Sequence, residues 1–313
     1  MSLFLLIIMV ARNLIAKILG TFWILDGLLQ FQPKMFGPDF VTNVLEPTLS
    51  SQPNILHAIS SFGIYLWNTN TILTNTAAAL LQVVIGIFLF FPASDNKFKI
   101  ALYVSVLWGS IVWLFGEGAG GLLTGSATFY TGAPGGALLY VLFAVLLLLH
   151  DRISDSWYPK IAGCILVGAA FLQLQPTFWT ADGVQGVTEL STMDIFHPLT
   201  IFPMWLSNLI GLHPFSANIA LTVMPLVLGL LLLYKPNRIT AGITLIFLFF
   251  VWWISQDFGQ LTTLFTGTST DPNIAPLIAL LLVPILVPML SYKDEKTKIS
   301  SSPNVHEHEL LHA

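Results

Sequence analysis

Charge is what this sequence has least of: Asp, Glu, Lys and Arg make up 9% of the chain, against roughly 25% in soluble domains. So few charges cannot coat a water-soluble globule of this size, which excludes the ordinary soluble class. The twelve Lys and Arg are scattered in ones, twos and threes, so no basic face exists for nucleic acid to grip. Cysteine is almost absent as well. Cys164 lies alone inside an apolar run, which excludes a disulfide framework or a Cys-rich metal site within one chain, and it is expected in the core. The opening stretch SLFLLIIMVAR carries its positive charge after the apolar residues and has no small-residue cleavage site, so no removable signal peptide is expected.

What fills the chain instead is apolar: 55% hydrophobic residues and a mean hydropathy of +0.79. Eight apolar segments, at about 13–33, 72–92, 98–116, 135–149, 160–178, 215–234, 239–256 and 274–291, are each read as a membrane helix. They lack the polar-apolar alternation of barrel strands, and a backbone in hydrocarbon must bond to itself, so helices are expected. Lys97, Lys99, Arg152, Lys235, Arg238 and Lys293 fall in alternate connections and the tail, with Arg12 and Lys17 before the first full span. By the positive-inside rule both termini are expected in the cytoplasm. The long outer loops, 34–71 and 177–214, carry Trp67, Trp179 and Trp205 as interfacial anchors and contain two stretches able to form amphipathic helices.

The chain also repeats itself. LLQFQP at 28–33 matches FLQLQP at 171–176, and at the same offset of 143 Lys17 falls on Lys160, Asn75 on Asn218 and Gly86 on Gly229. Further on, Trp113 and Glu117 are matched with Trp253 and Asp257, Thr124-Gly125 with Thr266-Gly267, and Ala133-Pro134 with Ala275-Pro276. The expected fold is therefore all-α membrane, eight transmembrane helices in two parallel four-helix repeats, at 1–152 and 153–292, with a disordered cytoplasmic tail at 293–313.

Carboxyls in such a setting are costly and are functional candidates by default. Asp26, Glu117 and Asp257 are the candidate proton-handling groups, and Asp26 breaks the symmetry because its counterpart is Ala169. Gln30, Gln32, Asn75, Gln173, Gln175 and Asn218 are candidate ligand-binding groups, the competing reading being hydrogen bonds that join helices. Apart from Asp26, which lies deeper, these groups lie toward the outer ends of their spans, whereas the cytoplasmic halves, such as FLFFP at 88–92 and LLLLH at 146–150, offer little that is polar.

Two motifs mislead. GEGAGG at 116–121 has dinucleotide-binding spacing but follows a membrane helix rather than a strand, and reads as a tight turn with close backbone approach. His308, Glu309 and His312 spell a zinc-protease pattern on a polar tail with no third ligand to follow, and His57, His197 and His213 are expected at the surface; no metal site is assigned.

Arg12, Gly20, Trp23, Asp26 and Gly27, ahead of the glutamines, resemble the start of DoxX-like membrane proteins. Here Gln30 stands where those proteins often carry a lysine, and two units are fused. The resemblance implies redox-associated work in the plasma membrane, such as passing electrons from a thiol or sulfur compound to a quinone, with a redox partner protein. A small-solute transporter and a non-catalytic assembly subunit are the alternatives.

Overall fold

The computed structural model describes residues 3–193, 197–263 and 267–287; the polar tail with its histidines lies outside them. No strand occurs among the described residues. The main helices are α1 (Leu3–Leu29), α2 (Asn54–Thr69), α3 (Thr71–Phe88), α4 (Asn96–Ile111), α5 (Gly136–Leu148), α6 (Trp157–Gln173), α7 (His197–Leu212), α8 (Pro214–Tyr234), α9 (Arg238–Ile254) and α10 (Ile274–Leu280). Among the described residues, three stretches are long and apolar enough to cross a membrane: Thr71–Phe88, Asn96–Gly116 and Pro214–Tyr234. Shorter apolar helices cover Gly136–Leu148, Pro198–Leu212 and Arg238–Ile254.

The helices are apolar on the outside. Leu73, Leu80, Val84 and Ile87 on α3, and Ile239, Ile243, Ile246 and Phe250 on α9, recur at helical spacing and are all exposed. Water would penalise such stripes, while lipid accepts them. Cys164 belongs to this outer surface, since it sits on the face of α6 turned away from its neighbours; the expectation of a core cysteine is corrected.

Inside, two helix pairs pack alike. α1 lies along α3 and α6 along α8, and in each pair glycines face each other at the crossing. A Cβ placed on Gly86 would come 2.5 Å from the Gly20 carbonyl oxygen, and one on Gly229 would come 2.7 Å from that of Gly163. Backbones that approach this closely gain dispersion contacts that no larger side chain permits, which is how small residues hold helices together where lipid removes the hydrophobic drive. α5 and α10 meet in the middle of the molecule, where Leu139, Phe143, Leu147, Leu277, Ile278 and Leu281 are sealed in one cluster.

The turns that start α4 and α9 are capped in the same manner: Asp95 Oδ1 accepts from Lys97 N at 2.8 Å, and Asn237 Oδ1 from Ile239 N at 2.9 Å. The expected amphipathic outer segments are α2 and α7, with Ile55, Tyr65, Ile201 and Leu212 among their exposed side chains. Substituting Gly229→Val should lower the thermal unfolding midpoint of the detergent-solubilised protein, reflecting a destabilisation of about 1–3 kcal/mol from overpacking. Gly168→Ala, where a Cβ meets open space, should leave it unchanged.

Candidate functional site

The polar side chains sort into two groups with different work. One group joins helices and halves. Asn75 Nδ2 donates to the Gln30 carbonyl at 2.7 Å, and Asn218 Nδ2 donates to the Gln173 carbonyl at 3.2 Å. Gln173 Nε2 further donates to Asn218 Oδ1, while Gln173 Oε1 accepts from Thr128 at 2.6 Å. Gln32 Nε2 donates to the Ser269 carbonyl at 2.8 Å and Gln175 Nε2 to the Ala127 carbonyl at 2.8 Å, so each reaches from its own half into the other. For Gln32, Gln173, Gln175 and Asn218 these bonds account for the amide groups as joinery; none of the four lines the chamber described next.

The second group faces a chamber of about 590 Å³ in the first half of the chain. α1 contributes Trp23, Asp26 and Gln30; α3 contributes Gln82; α4 contributes Trp108; and α5 contributes Tyr140. Trp67 of α2 and Phe40 of the connection between α1 and α2 close one end, Glu117 follows α4, and Thr270 and Asp271 arrive from the second half. No Lys, Arg or His is among the lining residues. Asp26 is 3% exposed, and its Oδ1 has no hydrogen-bonding partner. The Tyr140 hydroxyl approaches Asp26 without completing a bond of normal geometry. Gln30 Oε1, Gln82 Oε1, Glu117 Oε2 and the indole nitrogens of Trp67 and Trp108 are likewise buried and unpartnered. Buried polar groups are normally satisfied, so this many open donors and acceptors around one space mark a site shaped for a ligand.

The acids at the rim of the chamber are held by backbone. Glu117 Oε1 accepts from Ala137 N at 3.0 Å, at the start of α5. Asp271 accepts from Asn273 N at 2.7 Å and from the Thr270 hydroxyl at 2.8 Å. Burial, reinforced by the charge of Asp271, pushes the Glu117 carboxyl up to about 8, against an ordinary 4.5, despite the opposing Ala137 and Gly136 N–H groups. Burial also raises Asp271, against the pull of Thr270 and Asn273.

The structure corrects the pairing of Glu117 with Asp257. Trp113 Nε1 donates to the Pro134 carbonyl and Trp252 Nε1 to the Pro272 carbonyl, at 2.8 and 2.7 Å. Gln256 Oε1 accepts from Ala275 N at 3.1 Å, as Glu117 does from Ala137. By these bonds Trp113, Glu117, Pro134 and Ala137 correspond to Trp252, Gln256, Pro272 and Ala275, one position off the Trp253 and Asp257 reading and four off the pairing of Ala133-Pro134 with Ala275-Pro276. Asp257, although buried, does not line the chamber. It answers Gly118 instead. Gly118, Ala119, Gly120 and Gly121 all have positive φ, and so do Asp257, Phe258, Gly259 and Gln260. Runs of left-handed residues are unfavourable for side chains with a Cβ. The GEGAGG segment is therefore a left-handed turn, and a Cβ on Gly120 would collide with the Pro134 carbonyl.

The same correspondence shows that the polar lining of the chamber is not duplicated. Where the first half has Asp26, Gln82, Glu117 and Tyr140, the second has Ala169, Pro225, Gln256 and Ile278. Sequence reasoning missed Gln82, Trp108, Tyr140 and Asp271; an unmatched Gln inside a span at 82 was the one available signal. His57 and His213 are exposed, the side chain of His197 lies outside what is described, and no metal-binding cluster occurs among the described residues.

Fold and site together define an all-helical protein whose apolar helices fit a membrane and whose first half encloses an acidic, aromatic chamber. No protein-family description, no curated protein and no solved structure matches the chain.

The raised Glu117 has a consequence for stability. Between about pH 4.5 and 8 the folded chain keeps a proton that the unfolded chain has lost, so this group's stabilisation is present below that window and is lost as pH rises through it. The unfolding midpoint of the wild type in detergent should fall across that window, and Glu117→Gln should flatten the fall.

Proposed function

We propose that the chain is an eight-span membrane protein built of two parallel four-helix repeats, which binds a quinone-type small molecule in the chamber of its first repeat. The reciprocal bonds of Gln32 and Gln175, and the matched glycine crossings, support the duplicated architecture. The positive charges in the alternate connections support cytoplasmic termini, and the prokaryotic plasma membrane is what the DoxX-like resemblance implies. Arg12, Gly20, Trp23, Asp26 and Gly27 carry the resemblance to DoxX-like proteins, and the redox reading extends that resemblance to this chamber.

The observation that supports it most is the mixture of open groups. Tyr140, Trp67 and Trp108 can donate to a quinone carbonyl, and Asp26, Gln30 and Gln82 can accept from a quinol hydroxyl, while the apolar walls take the ring. Such a ligand enters from lipid. In the proposed reaction a pair of thiols becomes a disulfide, releasing two electrons and two protons, and the quinone takes up both to become the quinol. The thiol is a small molecule or a partner protein on the outer side.

The lining goes no deeper than Trp23, Gln82, Trp108 and Tyr140; beneath it Leu19, Leu89, Leu102 and Leu147 are fully sealed. That floor favours a site open on one side over a path for solute.

Three chamber tryptophans make the test direct. In nanodiscs a decyl-substituted benzoquinone should quench tryptophan fluorescence saturably, and Asp26→Asn with Tyr140→Phe should weaken binding by roughly tenfold, as loss of about 1–2 kcal/mol of hydrogen bonding implies. Quenching that never saturates, or that is unchanged in the double variant, would sink the assignment.

A further inference from the structure

The chamber has a neighbour. A second, open cleft of about 360 Å³ is lined by Thr48, Thr124, Ser126, Thr131 and the glycine backbone of 120–136. Val44, Gly116, Glu117 and Asp271 line both spaces. Two of these four are carboxylic acids, one from each half of the chain, and they stand side by side at the start of α5. A Cβ on Gly136 would lie 3.2 Å from Asp271 Oδ1 and 3.6 Å from Glu117 Oε1.

We infer that Glu117 and Asp271 form a proton port, a two-carboxyl septum that passes protons between the hydroxyl-lined outer cleft and Asp26 in the chamber. Three observations meet here. Glu117 Oε2 is buried and unpartnered, so it is free to take a proton while Oε1 stays fixed on Ala137. Asp26, buried and with Oδ1 open, faces the same chamber as the septum and is the acceptor at its far end. The titratable groups lining the two spaces are Asp26, Glu117, Asp271 and Tyr140, with no fixed cation to lock any carboxyl in its charged form. Carboxyls in such surroundings can exchange protons one at a time, each arrival displacing the next.

The second half supplies a control written into the chain. At the position equivalent to Glu117 stands Gln256, which holds Ala275 N–H by the same bond yet cannot titrate. Glu117→Gln should therefore keep the fold while closing the port.

The inference rests on the quinone reading only for what consumes the protons; two are needed for each quinone reduced. The port itself needs no quinone to be tested. In nanodiscs, exchange of the Asp26 carboxyl proton for deuterium can be followed through its infrared carbonyl stretch, assigned with Asp26→Asn. Glu117→Gln with Asp271→Asn should slow that exchange by about 100-fold, the scale of a lost general acid-base relay, whereas Asp39→Asn at the exposed surface should not. Exchange at the wild-type rate in the Glu117→Gln, Asp271→Asn protein overturns the port. The decylquinone quenching assay on the same samples separates the outcomes: slow exchange with no quinone binding in the wild type keeps the port and removes the quinone. Retained circular dichroism and unfolding midpoint in the single Glu117→Gln protein, with exchange unslowed, would count equally against the port.

Discussion

Two glutamines, Gln32 and Gln175, cross from one half of the molecule to the other and bond to the Ser269 and Ala127 carbonyls there. In an apolar surrounding a carbonyl left without a donor costs on the order of several kcal/mol, so these bonds fix how the halves sit together. The position of Asp271 depends on that register, because the loop that carries it follows directly on Ser269 and bends back over the start of α5. Without the interlock the chamber would have one wall missing.

The proposed duplication, followed by divergence, accounts for the rest of the arrangement. Both halves keep what holds the backbone: the glycine crossings, the Asn to backbone carbonyl bonds, the Trp to Pro carbonyl bonds and the left-handed turns. Only the first half keeps what would be costly without a purpose. Asp26, Gln82 and Tyr140 are replaced by Ala169, Pro225 and Ile278 in the second. An unpartnered carboxyl in such a place is retained against a desolvation penalty, and the apolar second half shows that the scaffold can be built without it.

Much of this was legible in the sequence, because membrane helices announce themselves by length and because a lone acid stands out against Leu and Ile. Asp26, Glu117 and Gln30 were visible for that reason. The LQxQP pair offered the first register, and the matching bonds of Asn75 to Gln30 and Asn218 to Gln173 agree with it. The second register went wrong at Trp252-Trp253. A tryptophan doublet offers two alignments, and the spacing of Trp253 to Asp257 imitates that of Trp113 to Glu117; only the hydrogen bond from Trp252 to Pro272 decides between them. Asp271 was hidden for a different reason: in STDPN it reads as an ordinary turn acid, and its meaning comes from a contact with the other half of the chain. Gln82, Trp108 and Tyr140 were passed over because an aromatic or amide in a span says nothing of which face it is on.

The central claim is that an acid from the second half completes a chamber in the first, and cross-linking tests it most directly. With Cys164→Ser removing the native thiol, Gly136→Cys and Asp271→Cys should form a disulfide on mild oxidation, since a Cβ at 136 lies 3.6 Å from the Asp271 Cγ. After cleavage at a protease site placed in the connection at 149–156, the account predicts that the two halves stay joined until a reductant is added. Halves that separate under oxidising conditions, while the protein is still folded before cleavage, would contradict it.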